Sequence, residues 1–275
     1  MPPPGRRAPW SDAQDHVWAR ERARFDRMLQ GFGARLVDAA ELAPGDRVID
    51  VGCGAGDTLM AMAARVGPAG LALGSDTSAR LLAQARARLA PQACAMLVCA
   101  AAETHDPGAG AFDAVASRLG MTFFGDMDRA LRNVRRALRS GGRLVFVCWQ
   151  GLRANEWMRA PWEAVAVHVR VPEAPAPAGP GPFALADPAR IRAVLDRAGF
   201  RDVVIAPLIE RVPVGADIED ATGFFGRDAI RAVLDAVPAA TAGAFVATLR
   251  QALAPHARPD GVYLGAAAWL VSARA

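Results

Sequence analysis

Residues 48–58 read Val-Ile-Asp-Val-Gly-Cys-Gly-Ala-Gly-Asp-Thr, and they are the most informative part of the chain. Its apolar start is typical of a buried parallel strand, and its glycines provide a turn that a ligand can approach closely. A dinucleotide-binding G-x-G-x-x-G fingerprint needs its third glycine at position 57, which is Asp57. Here the third glycine is Gly56, one residue earlier. The turn by itself also permits a purely structural role, so the surrounding sequence has to decide.

The composition describes a globular chain with a sizeable core. Apolar residues make up 52% of the 275 residues, which suffices for one large domain, with or without a lid. No apolar run approaches the roughly 18 residues of a membrane span, and the start of the chain lacks the apolar segment of a secretory signal. We therefore expect a cytoplasmic protein that binds no membrane.

Charge and cysteine usage exclude further classes. The formal net charge is +4, carried by arginines that we place on solvated helix faces, so no nucleic-acid partner is expected. Cysteines stand at positions 53, 94, 99 and 148, without C-x-x-C spacing or a cluster of histidines. This pattern favours reduced thiols and predicts no metal site.

Strands alternate with helices through the first 150 residues, which predicts a parallel sheet wound on both faces. Ser11 and Gln14 form a capping box for a helix to about residue 30, and a second helix follows at about 32–41. Asp126 caps a later helix that ends at Gly141-Gly142. The predicted strands are 47–51, 71–75, 95–99, 112–117 and 143–149.

The pattern changes after the fifth strand. We expect a helix over 154–170, a proline-rich loop over 171–182 and a helix begun by Asp187-Pro188 that ends at Gly199. A strand at 202–210, helices within 217–256 and a final strand over 261–272, antiparallel beside the fifth, complete the chain.

Several motifs together resemble a known family. Residues 50–56 read D-x-G-x-G-x-G, residues 117–124 read Ser-Arg-Leu-Gly-Met-Thr-Phe-Phe, and residues 137–149 contain a Gly-Gly pair before an apolar strand. With residues 181–187, Gly-Pro-Phe-Ala-Leu-Ala-Asp, they resemble class I S-adenosylmethionine-dependent methyltransferases of the bacterial small-molecule type, the ubiquinone/menaquinone-biosynthesis-like group.

The resemblance implies a Rossmann-like, doubly wound α/β fold. It implies a seven-stranded sheet of order 3-2-1-4-5-7-6 with the last strand antiparallel, together with helical lid segments. We divide one folded unit into an N-terminal helical lid (1–42), a cofactor-binding core (43–150) and the rest of the sheet with inserted substrate-covering helices (151–275).

The implied cofactor is S-adenosyl-L-methionine. Asp76 ends the second strand about 20 residues after the glycines, where an acid accepts from ribose hydroxyls, although it could equally cap a helix. Relatives usually place an aspartate for the adenine where this chain has Ala101, so Glu103 or the Ala102 amide would substitute. Arg118 could bind an acidic group or form an ion pair. The predicted cofactor-binding residues are Asp50, Gly52, Cys53, Gly54, Gly56, Asp76, Thr77, Ala101, Ala102, Glu103, Ser117 and Arg118.

The implied reaction is displacement at a sulfonium methyl group, onto a small, partly apolar metabolite of secondary or cofactor metabolism. His16 is the candidate base, if the acceptor needs one. The predicted acceptor pocket comprises Trp18, Met121, Phe123, Phe124, Trp157 and Trp162.

Two alternatives stay open at this point: an NAD(P)-dependent oxidoreductase, and a methyltransferase fold that binds a ligand without turnover. Against the first, the chain lacks a Tyr-x-x-x-Lys pair, since Tyr263 is the only tyrosine and lysine is absent. The predicted assembly is a monomer or homodimer.

Overall fold

A computed structural model describes residues 10–168, 179–227 and 238–275, and within them the strands form one mixed sheet of order β3-β2-β1-β4-β5-β8-β6. Strands β1 to β5 run parallel, β8 runs antiparallel to β5 and β6, and the two-residue β7 pairs only with β8. The predicted order is confirmed, with β8 as the antiparallel strand. The strands are β1 Arg47–Val51, β2 Leu71–Asp76, β3 Ala95–Cys99, β4 Phe112–Arg118, β5 Leu138–Trp149, β6 Arg201–Gly215, β7 Ala257–Arg258 and β8 Gly261–Arg274.

Helices cover both faces of the sheet, so the protein has two apolar cores. One core joins α2, α3 and α4 to the sheet, and the other joins α5 and α7 to the opposite face. The predicted 171–182 loop and the middle of the predicted 217–256 helices lie largely outside the described residues. The described helices are α1 Asp12–Arg20, α2 Arg22–Ala39, α3 Asp57–Val66, α4 Ala79–Leu89, α5 Met127–Ala137, α6 Glu156–Ala166, α7 Pro188–Arg197, α8 Ile218–Phe225 and α9 Ala239–Leu253.

The N-terminal helices divide at a different place from the predicted one. The capping box of Ser11 and Gln14 is present, but the break falls at Glu21 and α2 continues through Gly31 and Gly33. A Cβ atom at Gly33 would lie 2.9 Å from Nη1 of Arg118. This glycine therefore permits close packing inside a helix rather than ending one.

The transition from α5 to β5 also corrects the prediction. Asp126 caps α5 as expected, but the helix ends at Ala137 and the strand begins at once with Leu138. Leu138 pairs with Phe112 before the register of the two strands shifts. Long-range pairing with β4 thus ends the helix, and the Gly141-Gly142 pair lies within the irregular part of β5.

The second half of the sheet follows the prediction more closely. Asp187 caps α7 and Pro188 occupies its first turn, as expected. Strand β6 extends to Gly215, beyond the predicted residue 210, because it pairs with β8 along almost its entire length. Among the described helices, none is long and apolar enough to cross a membrane.

Candidate functional site

A cavity of about 380 Å³ opens at the carboxyl ends of the parallel strands. This edge of an open α/β sheet, where the strand order reverses between β1 and β4, is the usual position of a ligand site. The glycine turn after β1, the ends of β2 and β4, the loop after β3, the last turn of α1 and the start of α2 surround it. Of the predicted cofactor residues, those lining it are Gly52, Cys53, Gly54, Asp76, Thr77, Ala101, Ala102, Glu103 and Arg118.

The glycine turn forms the floor of the cavity. Gly52 and Gly54 adopt positive φ angles of 71° and 52°, a region that side-chain-bearing residues rarely adopt. A Cβ atom at Gly52 would come within 2.8 Å of Gly120, whereas one at Gly54 would meet only Leu81, at 3.9 Å. A side chain at Gly54 would therefore have the cavity as its free space.

Gly56 has a different function from its two neighbours. It is the left-handed N-cap of α3, it does not line the cavity, and its hypothetical Cβ would meet Ala85 at 3.2 Å and Leu89 at 3.3 Å. Ser117 also lies behind the wall, where its hydroxyl donates to the carbonyl of Val51. Both residues shape the turn from outside the cavity.

Asp76 is held by backbone amides at the edge of the cavity. Its Oδ2 accepts from the amide of Gly54 and its Oδ1 from that of Ser78, each at 2.8 Å. Burial raises the pKa of the Asp76 carboxyl, and the Ser78 and Gly54 amides counteract part of that rise. Each oxygen keeps one lone pair for a further donor, such as a hydroxyl.

Asp50 lies fully buried behind the turn and does not line the cavity. Its Oδ2 accepts a 2.6 Å hydrogen bond from the Thr58 hydroxyl, while its Oδ1 has no partner in the described part of the chain. Burial raises the pKa of Asp50 to about 6, against the opposing effects of the Thr58 bond and the Arg118 charge. Its contact with a ligand stays a prediction.

The loop after β3 forms the far end of the cavity. Ala101, Ala102 and Glu103 all line it, so the residue in place of the family's adenine-binding aspartate does face the site. The Asn133 amide supports this loop by donating to the carbonyls of Ala102 and Glu103. The Glu103 carboxylate accepts from the amide of Gly125 at 2.8 Å, which occupies one of its oxygens.

Aromatic side chains line the part of the cavity that we call its mouth. Trp18 stacks on Phe25 with ring centroids 4.2 Å apart, and Trp10 meets Phe123 edge-on at 5.1 Å. With Phe124 they line the cavity. Trp18, Phe123 and Phe124 thus lie where the sequence predicted an acceptor wall, and Trp10 and Phe25 join them because α1 and α2 fold over the turn.

Three other predicted acceptor residues lie elsewhere. Met121 is buried at 1% exposure because it packs into the core beneath the cavity. Trp157 packs against Trp149 with ring centroids 5.5 Å apart, and neither it nor Trp162 lines the cavity. His16 is exposed on α1 and also lies outside the lining, so the geometry gives no support to its proposed role as a base.

Charged residues missed from the sequence complete the site. Arg22 and Asp26 of α2 and Asp57 of α3 line the cavity together with Arg118. Asp57 follows the glycine motif directly, so its place was available from the sequence. The two α2 residues carry no local signal, since only tertiary packing places that helix beside the turn.

Comparison with known proteins agrees with this geometry. Residues 48–142 match the family described as "Methyltransferase domain". Over these residues the chain resembles methyltransferase domains. The match contains the glycine turn, Asp76 and Arg118, so it contains most of the floor of the cavity.

Three relatives extend the resemblance. The chain is 29% identical to the nocamycin O-methyltransferase of Saccharothrix syringae over 81% of its own length and 83% of the relative's. It is 31% identical to the bifunctional biotin-biosynthesis protein BioCD of Bordetella avium, over 59% of this chain and only 33% of that one. It is 30% identical to the ubiquinone/menaquinone C-methyltransferase UbiE of Methylococcus capsulatus, over 48% and 54% of the two lengths.

Solved structures share the fold. The YcgJ protein of Bacillus subtilis aligns with a TM-score of 0.57 at 16% identity, over 88% of this chain and 97% of that protein. The geranyl diphosphate C-methyltransferase of Streptomyces coelicolor, solved with S-adenosyl-L-homocysteine, aligns with a TM-score of 0.52 at 17% identity, over 89% and 75%. The predicted resemblance to S-adenosylmethionine-dependent methyltransferases is confirmed.

Proposed function

We propose that this protein transfers the methyl group of S-adenosylmethionine to a small, partly apolar metabolite. The observation that carries the proposal is one continuous cavity, which joins the Ala101–Glu103 loop, Asp76 and the glycine turn to an aromatic mouth. Such a space would hold two molecules side by side: a nucleoside that carries an amino-acid group, and an apolar acceptor. The displacement itself is chemistry that the bound cofactor supplies.

The residues present fit that cofactor. Gly54 leaves its cavity side free of any side chain, and Asp76 offers unused lone pairs at the end of β2. The loop at Ala101–Glu103 provides backbone polar groups for a base. These groups bind and orient, and the aromatic mouth excludes water, which is the main contribution of a protein to a transfer of this kind.

The proposed nature of the acceptor rests on the aromatic rings of the mouth and on the names of the relatives. Five aromatic rings line the cavity, and the relatives include a nocamycin O-methyltransferase, an aklanonic acid methyltransferase and a ubiquinone/menaquinone biosynthesis C-methyltransferase. In the described residues no histidine lines the cavity, so we propose an acceptor that needs no histidine base. The N-terminal lid, the cytoplasmic location and the monomeric or dimeric state stay predictions.

Calorimetry with S-adenosyl-L-homocysteine and with NAD tests the cofactor. We expect binding of the first and none of the second, and the reverse result would overturn the proposal in favour of an oxidoreductase. Turnover is tested with radiolabelled S-adenosylmethionine and a panel of phenols, quinols and hydroxylated polyketides. Cofactor binding with no labelled product from any soluble acceptor class would favour a non-catalytic protein.

An acceptor found in this way also tests the aromatic mouth. Phe123→Ala removes a ring that lines the cavity, whereas Trp157→Phe alters one that does not. We expect the first variant to raise the KM of the acceptor several-fold and the second to leave it unchanged. An equal effect of both variants would place the acceptor elsewhere.

A further inference from the structure

Arg118 has hydrogen-bonding capacity that the protein leaves unused. It ends β4, its side chain is only 10% exposed, and its Nη1 donates to the Leu29 carbonyl at 3.2 Å and to Asp57 at 2.8 Å. A guanidinium has five N–H groups. Those on Nε and Nη2 have no partner among the described residues, although the side chain lines the cavity. A nearly buried cation with free donors at a cavity wall indicates an anionic ligand.

The order of the strands shows which part of a ligand would reach Arg118. Ala101 follows β3, Asp76 ends β2, the glycine turn follows β1, and Arg118 ends β4, in the spatial order β3-β2-β1-β4. A ligand with its base beside Ala101 and its ribose on Asp76 therefore extends across the turn. Its opposite end lies at Arg118.

Neighbouring side chains hold the guanidinium in one position. Asp57, its carboxylate partner, also pairs with Arg88 at 3.4 Å, and Arg88 donates to the carbonyl of Ala55 at 2.9 Å and pairs with Asp26 at 3.2 Å. Arg88 thus holds Asp57 in place at the start of α3. Arg118 is positioned from β4, from α2 and from α3 at once.

Gly33 provides the space that this position requires. It lies inside α2, where glycine is unfavourable, and a Cβ atom there would be 2.9 Å from Nη1 of Arg118. We propose that Arg118 binds the carboxylate of the cofactor's amino-acid end, and that Gly33 is a positioning residue for that contact. The inference rests on the proposed function. It identifies Arg118 and Gly33 as the residues that select a ligand with an amino-acid end.

Two ligands separate this contact from the rest of the site. S-adenosyl-L-homocysteine has the amino-acid end, whereas 5′-methylthioadenosine has the same base and ribose without it. For Arg118→Gln we expect about 10- to 100-fold weaker binding of the first ligand, because a charge-assisted hydrogen bond is lost, and less than a twofold change for the second. Arg118→Lys should restore part of the difference.

Gly33→Ala repeats the test without removing a charge, and Gly31→Ala is its matched control. Both glycines lie in α2, but a Cβ atom at Gly31 would meet only the Glu210 carboxylate, at 3.1–3.3 Å, away from the cavity. We expect Gly33→Ala to weaken the homocysteine ligand selectively and Gly31→Ala to change neither ligand. Thermal melts show whether each variant folds. If Arg118→Gln does not fold, the comparison of the two ligands is made with Gly33→Ala and Arg118→Lys instead.

The outcomes against the inference are distinct. Equal weakening of both ligands by Arg118→Gln, or no weakening of either, would overturn it while leaving the proposed function intact. Unchanged ligand binding with a raised KM for an acidic acceptor would also overturn it, because the anion would then belong to the acceptor. Failure of both ligands to bind the unaltered protein would overturn the proposed function itself.

Discussion

The Asp76 carboxylate joins the ends of β1 and β2, because its Oδ2 accepts from the amide of Gly54 at 2.8 Å. Its Oδ1 accepts from Ser78 in the same way, and the Ser78 hydroxyl in turn caps α4 by accepting from the amide of Leu81. The turn and the start of α4 are therefore held by one side chain that also faces the cavity. The two roles weighed for Asp76, helix start and ribose acceptor, are compatible in one geometry.

Asp76→Ala should weaken the binding of S-adenosyl-L-homocysteine by about 1.5–3 kcal/mol, since hydrogen bonds to a charged group are lost. Ser78→Ala is the control, because it removes only the cap of α4 and should cost about 1 kcal/mol of stability without affecting affinity. Calorimetry and chemical denaturation measure the two quantities. Equal losses of affinity in both variants would mean that Asp76 acts only through the fold.

Gly54→Ala should abolish cofactor binding while the protein stays folded. The added methyl group has the cavity as its free space and the backbone has φ +52°, so we expect about 1–2 kcal/mol of strain as well. Gly110→Ala is the control, because Gly110 also has a positive φ of +64°, a Cβ atom there would meet nothing within 4 Å, and it does not line the cavity. Normal binding by Gly54→Ala would show that this glycine does not face the ligand.

Asp50 should make stability depend on pH. Burial raises its folded pKa to about 6, above the unfolded value of about 3.9, so the folded state binds the proton more tightly. Stability therefore falls as pH rises from about 4 to about 6, and the full penalty persists above that range. Asp50→Asn should gain about 1–2 kcal/mol at pH 8, after the cost of an unpaired amide, and lose about 1 kcal/mol near pH 4, where that cost remains without the charge penalty.

Asp113→Asn is the matched control with the opposite sign. Partial burial raises the pKa of Asp113, but the Arg47 amide and the Arg139 guanidinium lower it further, to below its ordinary value. The stability that this carboxylate contributes is present above its unfolded pKa and is lost in acid. Urea denaturation from about pH 2.5 to pH 8 should show the advantage of Asp50→Asn growing between about pH 4 and pH 6, and the deficit of Asp113→Asn shrinking as the pH falls below about 4. Parallel curves for the two variants would refute the assignment.

Ala101→Asp should tighten cofactor binding by around 1 kcal/mol, because it supplies an acceptor for the adenine amino group. Glu103 lines the same cavity, and repulsion between the two carboxylates could erase the gain. The double variant with Glu103→Gln removes that repulsion and keeps an acceptor for the amide of Gly125. If neither variant binds more tightly, the adenine edge is already paired and Ala101 does not weaken the contact.

The prediction of secondary structure was correct where it depended on residues close together in the sequence. The apolar run, the glycines at 52, 54 and 56 and the capping residues Ser11, Asp126 and Asp187 each act within a few residues, so they are readable without the fold. Asp76 was placed in the cavity for the same reason, since the end of a strand is visible in the sequence. The errors at residue 31 and at Gly141-Gly142 arose where a glycine was interpreted as a local stop.

Pattern and spacing within short stretches of the chain sufficed to predict the order of strands and helices, the glycine turn and the cofactor class. The set of side chains around the cavity depends instead on tertiary packing. Packing of α2 over the turn brings in Arg22 and Asp26 and sets Gly33 against Arg118, while Trp157 packs against Trp149 instead. Such contacts join residues far apart in the chain, and they follow from the shapes of packed surfaces rather than from any pattern in the sequence.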